Sequence, residues 1–290
     1  MIAHPHVQIR FNSVLEFVLP EYSTGRKDLK FKKKAYSGNM SNGSRKRVMK
    51  AIDILLQKSP PKYIYNPVTG KHFNFTINFI TLTVSENQII DFKHCYDNLL
   101  KPFIRILRER FKALYVWKAE LQKRGQIHYH ITTNKFIEHS EVRKIWNNLQ
   151  RKAGYLNAYA MKYKSFDANS TDVHATKKIN DLAAYLAKYV SKQNSKALKY
   201  ERKVKVKNDE GKLIENTIIK YCKVWDCSNE LKIKYFMTLT DSAIERNLND
   251  FIKKHKCKII ELEHCRIIKL PKAYTILPSS DLKDYLVHIS

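Results

Sequence analysis

Apolar and polar positions alternate between two periods along this chain. Phe79-Ile80-Thr81-Leu82-Thr83-Val84 is continuous and β-branched, the pattern of a central strand buried on both faces. From Ser85 to about residue 111 the period becomes helical, with Ser85 as cap and Leu99, Phe103, Ile106 and Leu107 on one side. Strands are expected over 113–122 and 126–132, joined by Lys123-Arg124-Gly125, which has the length of a three-residue hairpin loop. Upstream, a helix over 44–58 ends at Pro60-Pro61, and a hairpin follows over 63–65 and 71–75 around Asn66-Pro67-Val68-Thr69-Gly70. Downstream the pattern predicts a helix over 138–153, strands over 155–161 and 172–176, and a helix over 180–193. Strands over 200–206 and 213–224, a helix over 241–255 and a strand over 258–263 complete the series. No internal repeat interrupts it.

The 126–132 strand reads Gln126-Ile127-His128-Tyr129-His130-Ile131-Thr132. Side chains alternate with period two, so His128 and His130 share one face and Tyr129 takes the other. If Gln122 and Gln126 flank the loop, Glu120 lies across from His128. Opposed Cβ atoms are about 5 Å apart. Glu120, His128 and His130 are then candidate ligands of one metal with positions open for substrate.

Charge names the partner. Lys and Arg number 54 against 27 Asp and Glu, a net +27 spread along the chain. Such a field favours polyanions, of which nucleic acid is the commonest. Hydrophobic content of 43% with 17 Tyr and 13 Phe argues against a disordered chain, and 290 residues suffice for a sizeable core. No apolar run approaches the roughly 18 residues of a membrane span. The opening Met1-Ile2-Ala3-His4-Pro5-His6 does not read as a signal peptide, so a cytoplasmic location without membrane is expected. The five scattered cysteines fit reduced, structural thiols. Cys222, Cys227, Cys257 and Cys265 lack paired zinc spacing.

A second constellation lies at Tyr185-Leu186-Ala187-Lys188-Tyr189. On the expected helix Tyr185, Lys188, Tyr189 and Lys192 form one polar stripe, and Ile179, Leu182, Leu186 and Val190 form an apolar one. Two tyrosines at this spacing are either an aromatic ridge in a core or a pair of nucleophiles. Lys188 between them argues against the core. A phenol, with its ordinary pKa near 10, needs help at neutral pH, which a metal-polarised phosphate and a nearby lysine would supply.

Taken in order, Phe79-Ile80-Thr81-Leu82-Thr83, Glu120 with Gly125-Gln126-Ile127-His128-Tyr129-His130, and Tyr185-Leu186-Ala187-Lys188-Tyr189 resemble the three motifs of rolling-circle replication initiators, the HUH endonucleases. The paired tyrosines and Lys223-Val224-Trp225-Asp226-Cys227-Ser228 look most like initiators of single-stranded DNA phages of the microvirus group. The resemblance covers about residues 74–195. It implies an α+β fold, a five-stranded antiparallel sheet with flanking helices of ferredoxin-like or RNA-recognition-like type. It divides the chain into a basic N-terminal extension (1–73), an endonuclease core (74–195) and a C-terminal extension (196–290).

The resemblance also implies roles. His128, His130 and Glu120 would hold Mg²⁺ or Mn²⁺. Tyr185 would attack a single-stranded DNA origin to give a 5′-phosphotyrosine and a 3′-OH primer for a host DNA polymerase. Tyr189 would act in the next round, and Lys188 would neutralise charge. The chain lacks GxxxxGK[ST], so a host helicase is expected. Conjugative relaxases place their tyrosine ahead of the histidine pair, the reverse of this order. Two other readings stand: a two-tyrosine transposase of the same chemistry, for which zinc-binding cysteines ahead of the core are missing, and a non-catalytic DNA-binding protein on this fold. His4-Pro5-His6 and His174 are weaker ligand candidates, the latter better read as structural.

Overall fold

The computed structural model describes residues 6–9, 13–17, 36–85, 91–122, 125–175, 197–207, 213–232, 238–239, 242–262 and 265–271. In chain order these carry β1 (His6–Ile9), β2 (Ser13–Phe17), α1 (Asn42–Gln57), β3 (Lys62–Asn66), β4 (Lys71–Phe75) and β5 (Asn78–Thr83). Next come α2 (Phe92–Cys95), a π-helical turn (Tyr96–Leu100), α3 (Lys101–Glu109), β6 (Tyr115–Leu121), β7 (Ile127–Thr133), α4 (His139–Lys152), α5 (Asn157–Tyr163) and β8 (Thr171–Ala175). The remainder is β9 (Lys199–Lys207), β10 (Leu213–Tyr221), β11 (Trp225–Cys227), a 3₁₀ turn (Asn229–Leu231), β12 (Thr238–Leu239), α6 (Ser242–His255), β13 (Lys258–Leu262) and β14 (Cys265–Lys269). Among the described residues no helix is long and apolar enough to cross a membrane.

Two compact units divide the chain: Met1–Lys33, Ile52–Asn74 and Asn229–Ser290 form one, Lys34–Ala51 and Phe75–Ser228 the other. The first contains an antiparallel sheet in the order β12-β1-β2-β14-β13. Strands from both ends of the sequence thus pair in one sheet. Its core joins Val7, Val14 and Ile268 to Leu248 and Phe251 of α6.

The second unit is mixed α+β, built on a five-stranded antiparallel sheet in the order β11-β6-β7-β5-β8 with flanking helices. Trp117, Tyr129, Ile80 and Leu82 are buried. Trp146 of α4 meets Tyr129 and Phe103 edge-on at 6.1 and 5.9 Å, and its indole N–H donates to the Thr83 carbonyl at 2.8 Å. Tyr96 lies 6.0 Å from Trp117. Each fully buried large side chain here contributes about 1.5–3 kcal/mol. The helices therefore cover the face opposite His128 and His130.

Local signals place most elements. The hairpin over 63–75 and the strands over 79–84, 113–122 and 126–132 form where the pattern put them. Helix α1 begins at Asn42 because Ser41, not Ser44, accepts the first free N–H, at 3.1 Å from Ser44 N. Two expectations fail. Ser85 does not cap the long helix: its N–H donates to Gln150 Oε1 at 2.8 Å, and Asp91 Oδ1 accepts from Lys93 and His94 instead. A carboxylate at a helix start takes two unpaired N–H groups and meets the positive end of the helix dipole.

Residues 155–161, expected as a strand, belong to helix α5. Gly154, at φ +83°, turns the chain out of α4. Ala158, Ala160, Met161 and Lys162 are strong helix formers, and their propensity outweighs the tyrosine alternation that suggested a strand. Tyr159 and Tyr163 then stack across one turn at 4.6 Å. The expected strand over 213–224 is divided, β10 pairing with β9 and β11 with β6.

Candidate active site on the β6–β7 hairpin

The loop between β6 and β7 closes as its length requires. Gln122 N–H donates to the Gln126 carbonyl at 2.9 Å, Gly125 N–H to the Gln122 carbonyl at 2.9 Å, and Gly125 sits at φ +87°. That left-handed backbone is open to glycine at no steric cost. The register it sets puts Glu120 opposite His128 and Lys118 opposite His130. On the other side of β7, Thr83 opposes His128 and Thr81 opposes His130. Opposed residues project to the same side of a sheet, so all of these share the face that the helices leave.

Contacts within this face are specific. His130 Nε2 lies 3.3 Å from Glu120 Oε2, and its Nδ1 lies 3.2 Å from Thr81 Oγ1. His128 Nδ1 lies 3.2 Å from the Gln122 amide nitrogen, and its Nε2 is 3.3 Å from Thr83 Oγ1. Both rings are thus held at both nitrogens, with their centroids 6.1 Å apart. The structure brings Glu120 and His130 into contact and turns His128 toward Gln122 and Thr83. Among the described residues no three His, Cys, Asp or Glu groups close into a ready metal cluster.

Thr81, Thr83 and Gln122 orient the two imidazoles, and pattern reading passed over them. Their signal was present: each is in phase with His128 or His130 across a predictable register. Lys118 was also passed over. It is 6% exposed, as is Glu120, and the two stand two residues apart on one face. A buried ammonium costs several kcal/mol unless paired, so its charge belongs to this polar cluster. One row of opposed residues runs across all five strands: Trp225, Lys118, His130, Thr81 and Asp172.

Other candidates fall elsewhere. Tyr185, Lys188 and Tyr189, with the helix expected over 180–193, lie outside the described residues. His174 stands opposite Phe79 on β8 and pairs with Asp172 at 2.7 Å, an exposed structural contact. His4 lies outside the described residues, and His6 opens β1 of the other unit.

Tyr129 is fully buried, and desolvation holds its phenol well above the ordinary value, so it stays neutral and serves packing. Burial pushes Cys95 up to about 11, with the Tyr155 hydroxyl at 3.1 Å opposing the shift. Cys222 is likewise pushed up to about 11 by burial. Such thiols are neither nucleophiles nor ready metal ligands near neutral pH. All five cysteines are free.

No curated protein and no solved structure matches the chain. The likeness found lies in the second unit and contains every residue of the histidine face from Asn78 to Ala175. It extends on to the tyrosine segment. Residues 77–194 match the model of a family of replication-associated proteins, the ORF2 type, and this match is consistent with a rolling-circle replication initiator.

Proposed function

We propose that this protein initiates rolling-circle DNA replication by nicking and rejoining single-stranded DNA at an origin, with Mg²⁺ or Mn²⁺ as cofactor. One observation carries the reading: Glu120 and the two histidines share an uncovered polar sheet face, inside the interval that matches the replication-associated family. The donor chemistry suits a divalent cation. A carboxylate oxygen and an imidazole nitrogen meet at 3.3 Å where they can share one proton, and a second imidazole lies beside them. Imidazole and carboxylate together accommodate Mn²⁺ well. His130, Glu120 and, by rotation of its ring, His128 would hold the ion, which when bound polarises a phosphate oxygen.

The remaining chemistry belongs to side chains. Thr81, Thr83 and Gln122 fix the rings, and Lys118 sets a positive charge beside the carboxylate. Tyr185 attacks the scissile phosphorus: its Oη–P bond forms, the P–O3′ bond breaks, and the departing 3′ oxygen takes a proton. The products are a 5′-phosphotyrosine and a 3′-OH, which primes a host polymerase behind a host helicase. Tyr189 attacks in the next round, and the freed 3′-OH reclaims the phosphate from Tyr185, closing the circle. Lys188 offsets charge on the phenolate. The two-tyrosine pattern aligns the protein with initiators of microvirus-type phages.

The test mixes the protein with a labelled origin oligonucleotide and Mn²⁺. A denaturant-resistant adduct is expected, mapping to Tyr185 or Tyr189 and lost in the Tyr185→Phe, Tyr189→Phe double variant. Origin binding without any adduct in the wild type would leave a non-catalytic DNA-binding protein.

A further inference from the structure

The β3–β4 hairpin stands outside the interval that matches the family and takes no part in the site above. Its end is built firmly. Asn66 Oδ1 accepts from Val68 N at 2.8 Å and Thr69 N at 3.2 Å, Gly70 N–H donates to the Asn66 carbonyl at 2.9 Å, and Gly70 sits at φ +65°. Residues two apart share a strand face, so Tyr63 and Tyr65 lie together. His72 reaches both from the neighbouring strand: it stacks on Tyr63 at 5.1 Å with 15° between planes and meets Tyr65 at 5.1 Å. The opposite face carries Ile64, Phe73 and Phe75, with Phe75 buried against Phe136 at 5.7 Å.

One side of this ribbon is thus apolar and turned inward, and the other is aromatic and open. Tyr63 is 71% exposed and Tyr65 53%. Contiguous exposed rings mark a contact surface more often than isolated ones do. Charge identifies the occupant. Lys62 and Lys71 are exposed beside the rings, and no Asp or Glu stands between Asp53 and Glu86. Lysine stems are long enough to present their ammonium groups on either face. Flat rings bordered by unopposed cations match unpaired bases on a phosphate backbone.

We propose that the Tyr63–His72–Tyr65 face is a stacking platform for the unpaired bases of single-stranded DNA, with Lys62 and Lys71 on the adjacent phosphates. This rests on the reading above that the protein handles single-stranded DNA, and it adds where bases are held outside the reacting site. The platform tolerates any base, because every base has a π-face.

The test is fluorescence anisotropy with a labelled oligothymidine of about 16 nucleotides, in EDTA so that no cleavage occurs. Tyr63→Ala with Tyr65→Ala should weaken binding at least about tenfold. Tyr63→Phe with Tyr65→Phe should restore it, since stacking survives loss of the hydroxyl. Lys62→Gln with Lys71→Gln should lower the slope of log affinity against log salt by about 1.4, whereas the alanine pair leaves that slope unchanged.

A 5-iodouracil oligonucleotide irradiated with the wild-type protein should crosslink to the peptide holding Tyr63, Tyr65 or His72, and this needs no variant to fold. Alanine-pair affinity within twofold of wild type overturns the proposal and leaves the surface to a protein partner. Equal losses in the alanine and phenylalanine pairs, or crosslinks confined to other peptides, overturn it as well. The nicking assay separates the two readings. A wild type that forms no adduct yet binds through this hairpin sinks the enzymatic reading and keeps the platform; a full adduct with an indifferent hairpin does the reverse.

Discussion

The two faces of the β5–β8 sheet have the same strands and opposite physics. On one face Trp117, Tyr129, Ile80 and Leu82 are buried, and Trp146 packs there with its ring and its N–H both satisfied. On the other, one residue further along each strand, stand Lys118, Glu120, His128, His130, Thr81 and Thr83. Period-two geometry lets a single hairpin serve both. The helix-covered face supplies stability through area removed from water, and the polar face holds groups that burial alone would penalise. A substitution should therefore cost either stability or activity according to its parity, and seldom both.

The sharpest way to break this comparison is His130→Ala. Loss of the ring that meets Glu120 should lower nicking by on the order of 10³-fold, several kcal/mol of transition-state stabilisation, with the melting temperature nearly unchanged. Single-turnover nicking with parallel thermal melts checks it, and equal loss in both would sink the division of labour. Trp146→Ala should do the opposite, costing about 3–5 kcal/mol of stability in urea unfolding while the surviving folded fraction keeps its Mn²⁺ affinity.

Thr81→Val should sharpen the picture. It keeps shape and removes the hydroxyl at His130 Nδ1, so Mn²⁺ affinity should fall about 10–100-fold, measured by titration calorimetry. An unchanged affinity would mean that Thr81 does not orient the ring.

The smallest effect concerns pH. Cys95 is held protonated in the fold, its pKa raised from 9.0 to about 11 by burial. A group with a raised folded pKa stabilises below its unfolded pKa, and that contribution is lost as pH rises from 9 toward 11. Stability should thus decline across that window by at most about 3 kcal/mol from this thiol. Cys95→Ala should flatten the decline in alkaline unfolding curves.

Much of the candidate site was legible because it is local. A three-residue loop and strict alternation suffice to bring Glu120 opposite His128, and neither depends on distant chain. The Ser85 cap and the 155–161 strand misread for a different reason. Ser85 lost its role to an N–H contact with Gln150, 65 residues away. The second case was a contest between two local signals, in which alanine and methionine propensity prevailed over tyrosine spacing.

Tertiary structure alone decided three things. It brought Trp225 onto the edge of β6, beside Lys118. It turned the rings so that His130 meets Glu120 while His128 meets Gln122 and Thr83. It joined β1 and β2 near the start of the chain to β13 and β14 near its end. Each is a pairing across a long loop or a choice among rotamers, set by packing around the residue and not by its neighbours in sequence. By itself the sequence determined the parity of each strand, the register of the β6–β7 hairpin and hence which side chains share the polar face, because a period of two and a short loop leave the backbone one arrangement.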